Sequence, residues 1–345
     1  METSKAATLA TTYARIGLIG NPSDGYGGAA IAFTFDAFAA ELTLSRAAKA
    51  AAGVEIAWQG ESVFAADSLE RALATSLDAV EHGAARLILA GLRMLARTDS
   101  ERIRRCEALA VSGRSSIPLQ AGLAGSSAIV ISALRGFAER CEIALDDDTL
   151  ASLALCAETE ELGIAAGPMD RIVQVRGGLL FMDFAGAAPR VTPLDVPLPK
   201  GLYVAWDREA GAPSGRVHGG LRQRFMSGES RVLAAMQRFR ELAYEGRAAL
   251  ARADAPALAR LLDENFALRR DVVGVSARDE ELAAVGRAHG AGVKLSGSGG
   301  AVVGLATSDA LPALRDAHAA AGHGWLQPGL VARHEIRGAG VRGPA

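Results

Sequence analysis

The chain has 345 residues, half of them apolar, and its 37 Lys and Arg residues nearly balance 39 Asp and Glu residues, for a formal net charge of −2. This balance excludes a strongly basic surface for nucleic acid or an anionic membrane, so the expected partners are small molecules. Cys106, Cys141 and Cys156 are scattered without CxxC spacing, which argues against a disulfide framework and a structural zinc site and fits a reducing cytoplasm.

Strands and helices alternate in the first half. After a polar start over residues 1–11, the apolar run 15–20 predicts a strand, and the two-residue period of Ile31, Phe33 and Phe35 predicts another. Apolar residues then recur at helical spacing over 68–97, with a break at 82–83.

A glycine-rich loop next leads into an apolar helix, and we expect Ser126 and Ser127 to cap its start. Residues 177–184 read as a strand, and the four prolines in 185–201 indicate a connection between domains. We therefore predict two domains, 12–195 and 196–345. Further elements are expected in the second half: a strand at 202–206, helices within 226–262 and at 277–289, a hairpin at 293–304, a helix at 309–321 and a strand at 330–336.

Three glycine-rich stretches, "GNPSDGYGG", "PLQAGLAGSSA" and "KLSGSGGAVVG", have the composition of phosphate-binding loops. Each alone could simply be a turn, but three in one chain favour phosphate binding. The chain has no Gly-Lys dipeptide, which excludes a Walker P-loop. "GYGGAA" fits a loose dinucleotide pattern, yet it leads into a strand rather than a helix, which argues against that site.

The stretch "AETEELGIAAGPMD" ends in Asp170, which we expect on a loop before the apolar "IVQV". Asp170 is either a cap of the following element or a catalytic base. Phosphoryl transfer needs a carboxylate near the acceptor hydroxyl, magnesium ligands and cations. Asp170, Glu160, Ser127, Arg15 and Lys294 could supply them.

Read together, four motifs resemble those of the GHMP kinase superfamily: "RIGLIGNPSDGYGG", "PLQAGLAGSSA", "AETEELGIAAGPMD" and "KLSGSGGAVVGL". The resemblance implies an α+β, two-domain GHMP kinase fold, with an N-terminal domain like ribosomal protein S5 domain 2 and a ferredoxin-like C-terminal domain. It also implies a phosphotransferase that uses ATP and Mg²⁺. The sequence leaves open a monomer or a homodimer.

Site roles follow from the same resemblance. Asp170 is implied as the base with Arg15 beside it, and Ser127 and Glu160 as magnesium ligands, with Ser126 as the alternative to Ser127. The implied ATP-binding residues are Gly122, Leu123, Ala124, Gly125, Ser126, Ser127, Gly297 and Gly299.

The first loop is predicted to bind the sugar through Asn21, Ser23 and Asp24, although Asp24 could instead form a local turn. Three stretches, "GNPSDGYGG", "ELGIAAGPMDR" and "SGRVHGGLRQRF", resemble glucuronokinase-type members of the superfamily more than galactokinase-type members. Glucuronokinase-type members act on a uronic acid at C1. A uronate carboxylate favours a guanidinium partner, so Arg171, Arg222 and Arg216 are expected candidates. The alternatives are a neutral-sugar kinase, such as a galactose or heptose kinase, and a non-catalytic regulator that binds nucleotide and sugar.

Overall fold

The fold is described from a computed structural model, which covers residues 7–46, 53–106, 108–209, 215–333 and 335, with the backbone alone for 215–219. Its described part contains two β-sheets, each covered by helices. Among the described helices, none combines the length and apolar character needed to cross a bilayer.

The larger sheet has seven strands from the first half of the chain. Its order is β4-β3-β5-β2-β6-β7, and β1 also pairs with β2. The strands are β1 (Thr8–Ile19), β2 (Ala29–Arg46), β3 (Val54–Trp58), β4 (Glu61–Ala66), β5 (Leu109–Ser115), β6 (Leu179–Asp183) and β7 (Arg190–Pro193).

The smaller sheet is antiparallel and comes from the second half. Its strands are β8 (Leu202–Trp206), β9 (Gly292–Leu295), β10 (Ala301–Leu305) and β11 (Gly324–Leu326), in the order β11-β8-β10-β9. With a helical segment after the first strand and a helix before the last, this order is that of a ferredoxin-like domain, as predicted.

Helices cover both sheets. They are α1 (Leu69–Ala74), α2 (Gly83–Thr98), α3 (Ser100–Arg105), α4 (Gly125–Arg140), α5 (Asp147–Cys156), α6 (Met169–Arg176), α7 (Gly215–Met226), α8 (Ser230–Ala251), α9 (Ala255–Val272), α10 (Ala277–Ala288) and α11 (Leu311–Ala320). A π-helix, Ala157–Glu161, continues α5.

Burial along β1 follows from these layers. Side chains alternate between buried and half-buried at its start, whereas residues 14–19 are all buried. There α4 packs on the sheet, and α8 from the second half places Gly246 against Ile19 and Ile31. This double cover brings residues from both halves of the chain to the end of β1.

The C-terminal residues return to the first sheet. Leu330 bridges to Phe35. The amide of Val331 donates to the carbonyl of Thr34 (3.1 Å), and its carbonyl accepts from the amide of Gly178 (3.0 Å). The predicted strand at 330–336 is therefore, in its described part, one isolated bridge.

Other expectations need correction. The first strand was predicted over 15–20, but β1 already begins at Thr8 because its first half also pairs with β2. The proline-rich connection contains β7, which pairs at the sheet edge, where prolines are tolerated. Strands β3, β4, β5 and β11 were not predicted.

The cysteine prediction is also wrong for one pair. Cys106, just after α3, and Cys141, just after α4, form a disulfide. Scattered spacing gave no hint of it, because folding of the intervening β5 and α4 brings the two positions together. Cys156 is a free, partly exposed thiol.

Candidate active site

Three loops meet beside the end of β1. The amide of Gly17 donates to the carbonyl of Ser296 (3.0 Å). Gly122 lies so close to the third glycine-rich loop that a Cβ on it would be 2.2 Å from the carbonyl oxygen of Gly299. The three glycine-rich stretches found in the sequence thus form one site.

Arg15 and Asp170 form an ion pair at this junction. The guanidinium donates from Nε to Oδ1 of Asp170 (2.5 Å) and from its terminal nitrogen to Oδ2 (2.6 Å), which is the bidentate geometry. A third donor bonds the carbonyl of Gly122 (2.7 Å). Arg15 is buried, whereas 19% of the Asp170 side chain is exposed, so the carboxylate faces accessible space.

Asp170 lies in the first turn of α6, not on a loop as expected. The helix begins one residue earlier because Pro168 serves as its N-cap without a side-chain bond. The capping alternative is not supported, since its carboxylate oxygens bond Arg15, 155 residues away in sequence.

A second, fully buried ion pair lies behind the first. Arg171 donates from Nε to Glu158 (2.7 Å) and also bonds the carbonyl of Gly167 (2.8 Å). Its terminal nitrogen is 3.8 Å from the carboxylate of Asp170. The charge of Arg171 is balanced inside the protein, so the prediction that it binds a uronate carboxylate is not supported.

Asp24 adds a second carboxylate beside Asp170. It is partly exposed and accepts a hydrogen bond from the amide of Met169 (3.2 Å). Burial, together with the nearby charge of Asp170, raises the pKa of Asp24 to about 6. An acceptor group whose pKa is perturbed in this way, beside a second carboxylate, is typical of a ligand-binding site.

The other polar residues of the first loop have structural partners. Ser23 is fully buried, and its hydroxyl donates to the carbonyl of Gly20 (2.8 Å) and accepts from the amide of Ala29 (3.2 Å). The side-chain oxygen of Asn21 accepts from the ammonium of Lys294 (2.7 Å). These bonds hold the loop in shape and do not support the prediction that Asn21 and Ser23 bind sugar.

The second loop leaves the start of α4 open. Gly122 and Ala124 both have positive φ, 64° in each case, and the helix begins at Gly125 with no side-chain cap. The carbonyl of buried Leu123 accepts from the amide of Arg15 (3.3 Å). Free amides at a helix start are a binding site for an anion.

The two serines do not cap α4 as predicted. Ser126 is exposed. The hydroxyl of buried Ser127 donates to the side-chain oxygen of Gln174 (2.6 Å) and points back to the carbonyl of Ala124 (3.2 Å). A ligand phosphate at the open amides would replace the missing cap.

The predicted magnesium pair is not assembled. Glu160 is 56% exposed and lies 3.4 Å from Arg97, whereas Ser127 bonds Gln174. Within the π-helix, Glu158 and Glu160 point to roughly opposite sides, and it is Glu158 that faces Arg171 and Asp170. Ser127 and Glu160 therefore do not fit a shared ion, and the described ranges contain no cluster of three His, Cys, Asp or Glu side chains that could hold a metal.

The third loop closes on the second. A Cβ on Gly297 would be 2.4 Å from the carbonyl of Gly122 and 2.8 Å from the guanidinium of Arg15. Gly299 has a φ of 140°, and its neighbour Gly300 donates its amide to Asp279 (2.7 Å). Close contact of the two backbones requires glycine at these positions.

Helix α7 places a cation near the first loop. Phe225 packs on Tyr26 with ring centroids 4.8 Å apart, and Arg222 lies one turn earlier on the same side of the helix. Burial raises the pKa of Tyr26, and the nearby charge of Arg222 partly opposes this rise. In the described structure Arg222 is exposed and has no hydrogen bond or ion pair; the side chain of Arg216 lies outside the described residues.

Several residues of the site were not recognised from the sequence. Glu158 was overlooked in favour of Glu160, because the sequence does not show which of the two faces Arg171 and Asp170. Gln174 and Asn265 gave no signal, because each acts through a partner distant in sequence: Gln174 through Ser127, and Asn265 through the amide of Gly20 (2.8 Å).

Comparisons with known proteins identify the family of the chain. The model of the GHMP kinases N terminal domain matches residues 86–178, and that of the GHMP kinases C terminal matches 247–324. Glucuronokinase 1 of Arabidopsis thaliana is 34% identical over 311 residues, covering 86% of this chain and 84% of the relative. A D-glycero-alpha-D-manno-heptose 7-phosphate kinase of Campylobacter jejuni is 30% identical over 48% of this chain and 50% of its own.

Solved structures show the same fold. The galactokinase of Lactococcus lactis, complexed with galactose, superposes with a TM-score of 0.77 at 13% identity and covers 95% of this chain and 94% of its own. The mevalonate kinase of Methanococcus jannaschii gives 0.76 at 15% identity, with 96% and 99% covered. With its loops, its ion pair and these relatives, the chain belongs to the GHMP kinase family and is a kinase of that family.

Proposed function

We propose that the protein transfers the γ-phosphate of ATP to a sugar hydroxyl, and that the acceptor is the C1 hydroxyl of a uronic acid such as glucuronate. The observation that carries this proposal is the partly exposed Asp170, clamped by Arg15 beside a glycine loop that ends in an uncapped helix start.

Each part of the site has a task in this reaction. The open amides of α4 and the loop from Gly122 bind the phosphates. Asp170 accepts the proton of the attacking hydroxyl, and such a base contributes about 10²–10⁴-fold to the rate. Arg15 orients that carboxylate and adds positive charge where the transferring phosphate gains negative charge.

Asp24 and Arg222 select the acceptor. The ionised carboxylate of Asp24 accepts hydrogen bonds from sugar hydroxyls. Arg222 reaches the same loop from α7 and pairs with the substrate carboxylate. The likeness to Arabidopsis glucuronokinase supports a uronic acid over a neutral sugar.

ATP is proposed to carry Mg²⁺ with it. Magnesium in such enzymes keeps several waters and binds mainly to the phosphates of the nucleotide. Ser127 and Glu160 bond other partners, Gln174 and Arg97, and do not form a shared site for the ion. We further propose that the kinase acts in the cytoplasm as a monomer or a homodimer, with the sugar and ATP as its partners.

A screen of ADP release with MgATP tests the activity. We expect glucuronate to give at least a tenfold higher kcat/KM than glucose or galactose, and ³¹P NMR of the product to show a phosphate on C1. Equal turnover of glucose would favour the neutral-sugar kinase. No ADP from any sugar, with ATP still bound, would favour the regulator.

Arg222→Ala tests the charge selection. It is expected to bring the preference for glucuronate over glucose close to one while leaving turnover of glucose unchanged. Arg260→Ala is the matched control, because Arg260 is another exposed arginine without a hydrogen bond or ion pair among the described residues. An unaltered preference in Arg222→Ala would exclude Arg222 as the selecting residue.

A further inference from the structure

The chain has only four lysines, and Lys294 is buried to 1% exposure. It lies on β9, and its ammonium donates three hydrogen bonds: to the carbonyl of Gly17 (2.8 Å), to Oδ1 of Asn21 (2.7 Å) and to the carbonyl of Leu295 (2.6 Å). All three donors of the ammonium are used, so the lysine has one fixed arrangement.

This lysine has no carboxylate partner among the described residues. Its neighbours include two further buried cations, Arg269 and Arg15. Burial, with the charges of these arginines, holds the pKa of Lys294 well below its ordinary value. A buried cation without a counter-charge is costly, so its three neutral hydrogen bonds must offset much of this cost.

The bonds of Lys294 join two loops with different ligands. Gly17 lies near the end of β1, and Asn21 begins the loop that carries Asp24. One residue beyond Lys294 and its partner Leu295, the chain enters the loop of residues 296–300, which closes on Gly122. The bond between the amide of Gly17 and the carbonyl of Ser296 runs beside the lysine and ties the same two segments.

We propose that Lys294 is a positioning residue that couples sugar binding to ATP binding, by fixing the sugar loop and the phosphate-closing loop in one joint arrangement. The inference rests on the proposed function, since it assigns sugar to the first loop and ATP to the other two. A ligand that orders one loop then orders the other through the lysine, so each ligand raises the affinity for the other by the same factor.

The test is a calorimetric binding cycle. The Kd of glucuronate is measured with and without a saturating non-hydrolysable ATP analogue, in wild type and in Lys294→Met, which keeps the length of the stem but removes the ammonium. In wild type the analogue is expected to tighten glucuronate binding at least fivefold. In Lys294→Met this ratio is expected to fall below twofold.

The ratio separates coupling from a purely structural role. A lysine that only stabilises the fold would, on removal, weaken each ligand alone and leave the ratio unchanged, which would overturn the proposal. Lys200→Met, at an exposed lysine, is the control and should keep the wild-type ratio. Should Lys294→Met fail to fold, Asn21→Ala removes one acceptor of the same ammonium and should lower the ratio at least twofold.

Failure of the coupling differs from failure of the proposed function. If wild type phosphorylates glucuronate but Lys294→Met and Asn21→Ala both retain the full ratio, only the coupling is wrong. If wild type neither turns over nor binds any sugar in the panel, the proposed function fails and the coupling is overturned with it.

Discussion

At the scale of single residues, the site depends on carboxylates held by unlike partners. Asp170 has a guanidinium on both oxygens, whereas Asp24, beside it, has one backbone amide and no arginine bonded to it. The charge of Asp170 is therefore balanced by a bonded arginine and that of Asp24 is not, although the two carboxylates lie near each other. This difference suits one carboxylate for proton transfer and the other for holding sugar hydroxyls.

Asp170→Asn tests the base. Asparagine keeps the shape and one acceptor for Arg15 but cannot take a proton, so we expect kcat to fall about 10²–10⁴-fold. The Kd of ATP, measured by calorimetry, should change less than threefold, because the phosphate loop is left intact. Near-normal turnover of this variant would show that another group is the base.

Asp24→Asn is expected to stabilise the protein while weakening sugar binding. The pKa of Asp24 is raised to about 6, so ionisation at pH 7 disfavours the folded state, by about 3 kcal/mol at most from the shift. Removing the charge should raise the free energy of unfolding at pH 7, and this gain should shrink as the pH falls from 6 towards 4. Urea unfolding at several pH values measures it.

The raised pKa of Asp24 also affects sugar binding by the wild-type enzyme. Protonation of Asp24 below pH 6 removes a charged acceptor, so the KM for sugar should rise as the pH falls. In Asp24→Asn the KM should already be high at pH 7 and vary little between pH 7 and pH 5. An equal rise of KM in both proteins would assign the effect to another group.

At the scale of elements, the glycine loops act by close backbone contact. Gly297 has no positive φ, so its requirement for glycine is one of space: the Cβ of alanine would press on Gly122 and Arg15. With alanine at position 297, the second and third glycine-rich loops must move apart by part of an ångström. ATP binding should therefore be sensitive to the contact between the second and third glycine-rich loops.

Gly297→Ala is expected to raise the KM for ATP at least tenfold and to cost about 1–3 kcal/mol of stability, as overpacking does. Gly83→Ala serves as the control, because a Cβ at Gly83 meets nothing within 4 Å. Steady-state kinetics and thermal unfolding of both variants give the comparison. Wild-type values for Gly297→Ala would mean that the loops lie further apart than described.

Helices and strands were predictable from the sequence where their apolar residues recur with a clear period. The break before α2, strands β6 and β8, the hairpin of β9 and β10, and α10 and α11 lie close to their predicted places. Strand β3 was missed although Val54, Ile56 and Trp58 alternate with Glu55 and Ala57, because five residues are too few to stand out as a period. The edge strand β4 shows no such alternation, and its pairing with β3 fixes it as a strand. Helices α8 and α9 were read as one helical region.

The site was predictable only in part. Composition and spacing indicated three phosphate-type loops, and the likeness to a family placed Arg15 beside Asp170. The sequence could not show which side chains stay free to bind a ligand. Ser23, Arg171 and Ser127 bond partners that only the folded structure reveals. The catalytic and metal roles stay predictions until the variants are measured.

At the scale of the whole molecule, residues of both halves share one large core, and the second half has a smaller second core that should respond to acid. The second core holds His318, fully buried, with its Nδ1 3.2 Å from Nδ1 of His323 and its Nε2 without a partner in the described structure. Burial, with the neighbouring His323 and His289, lowers the pKa of His318 to about 4.

Acid should therefore destabilise the second core. A histidine with a lowered folded pKa supports the fold fully above pH 6.5 and loses this support as the pH falls towards 4, by up to about 3 kcal/mol. In His318→Leu, the free energy of unfolding between pH 6.5 and pH 4.5 should fall less steeply than in wild type. Equal slopes would show that other groups cause the acid sensitivity.

The disulfide of Cys106 and Cys141 could not be foreseen from spacing, and it bears on the cellular location. Disulfides are uncommon in a reducing cytosol. A cytoplasmic kinase would keep these thiols reduced, and mass spectrometry of the protein after alkylation distinguishes the two states. The predicted cytoplasmic location remains a prediction.

The return of Leu330 and Val331 to the first sheet has a consequence for synthesis. The bonds of Thr34 and Gly178 to this segment form between residues made early and residues made much later. The amino-terminal half therefore emerges from the ribosome with an unfinished border, and these hydrogen bonds wait until Leu330 and Val331 have left the exit tunnel.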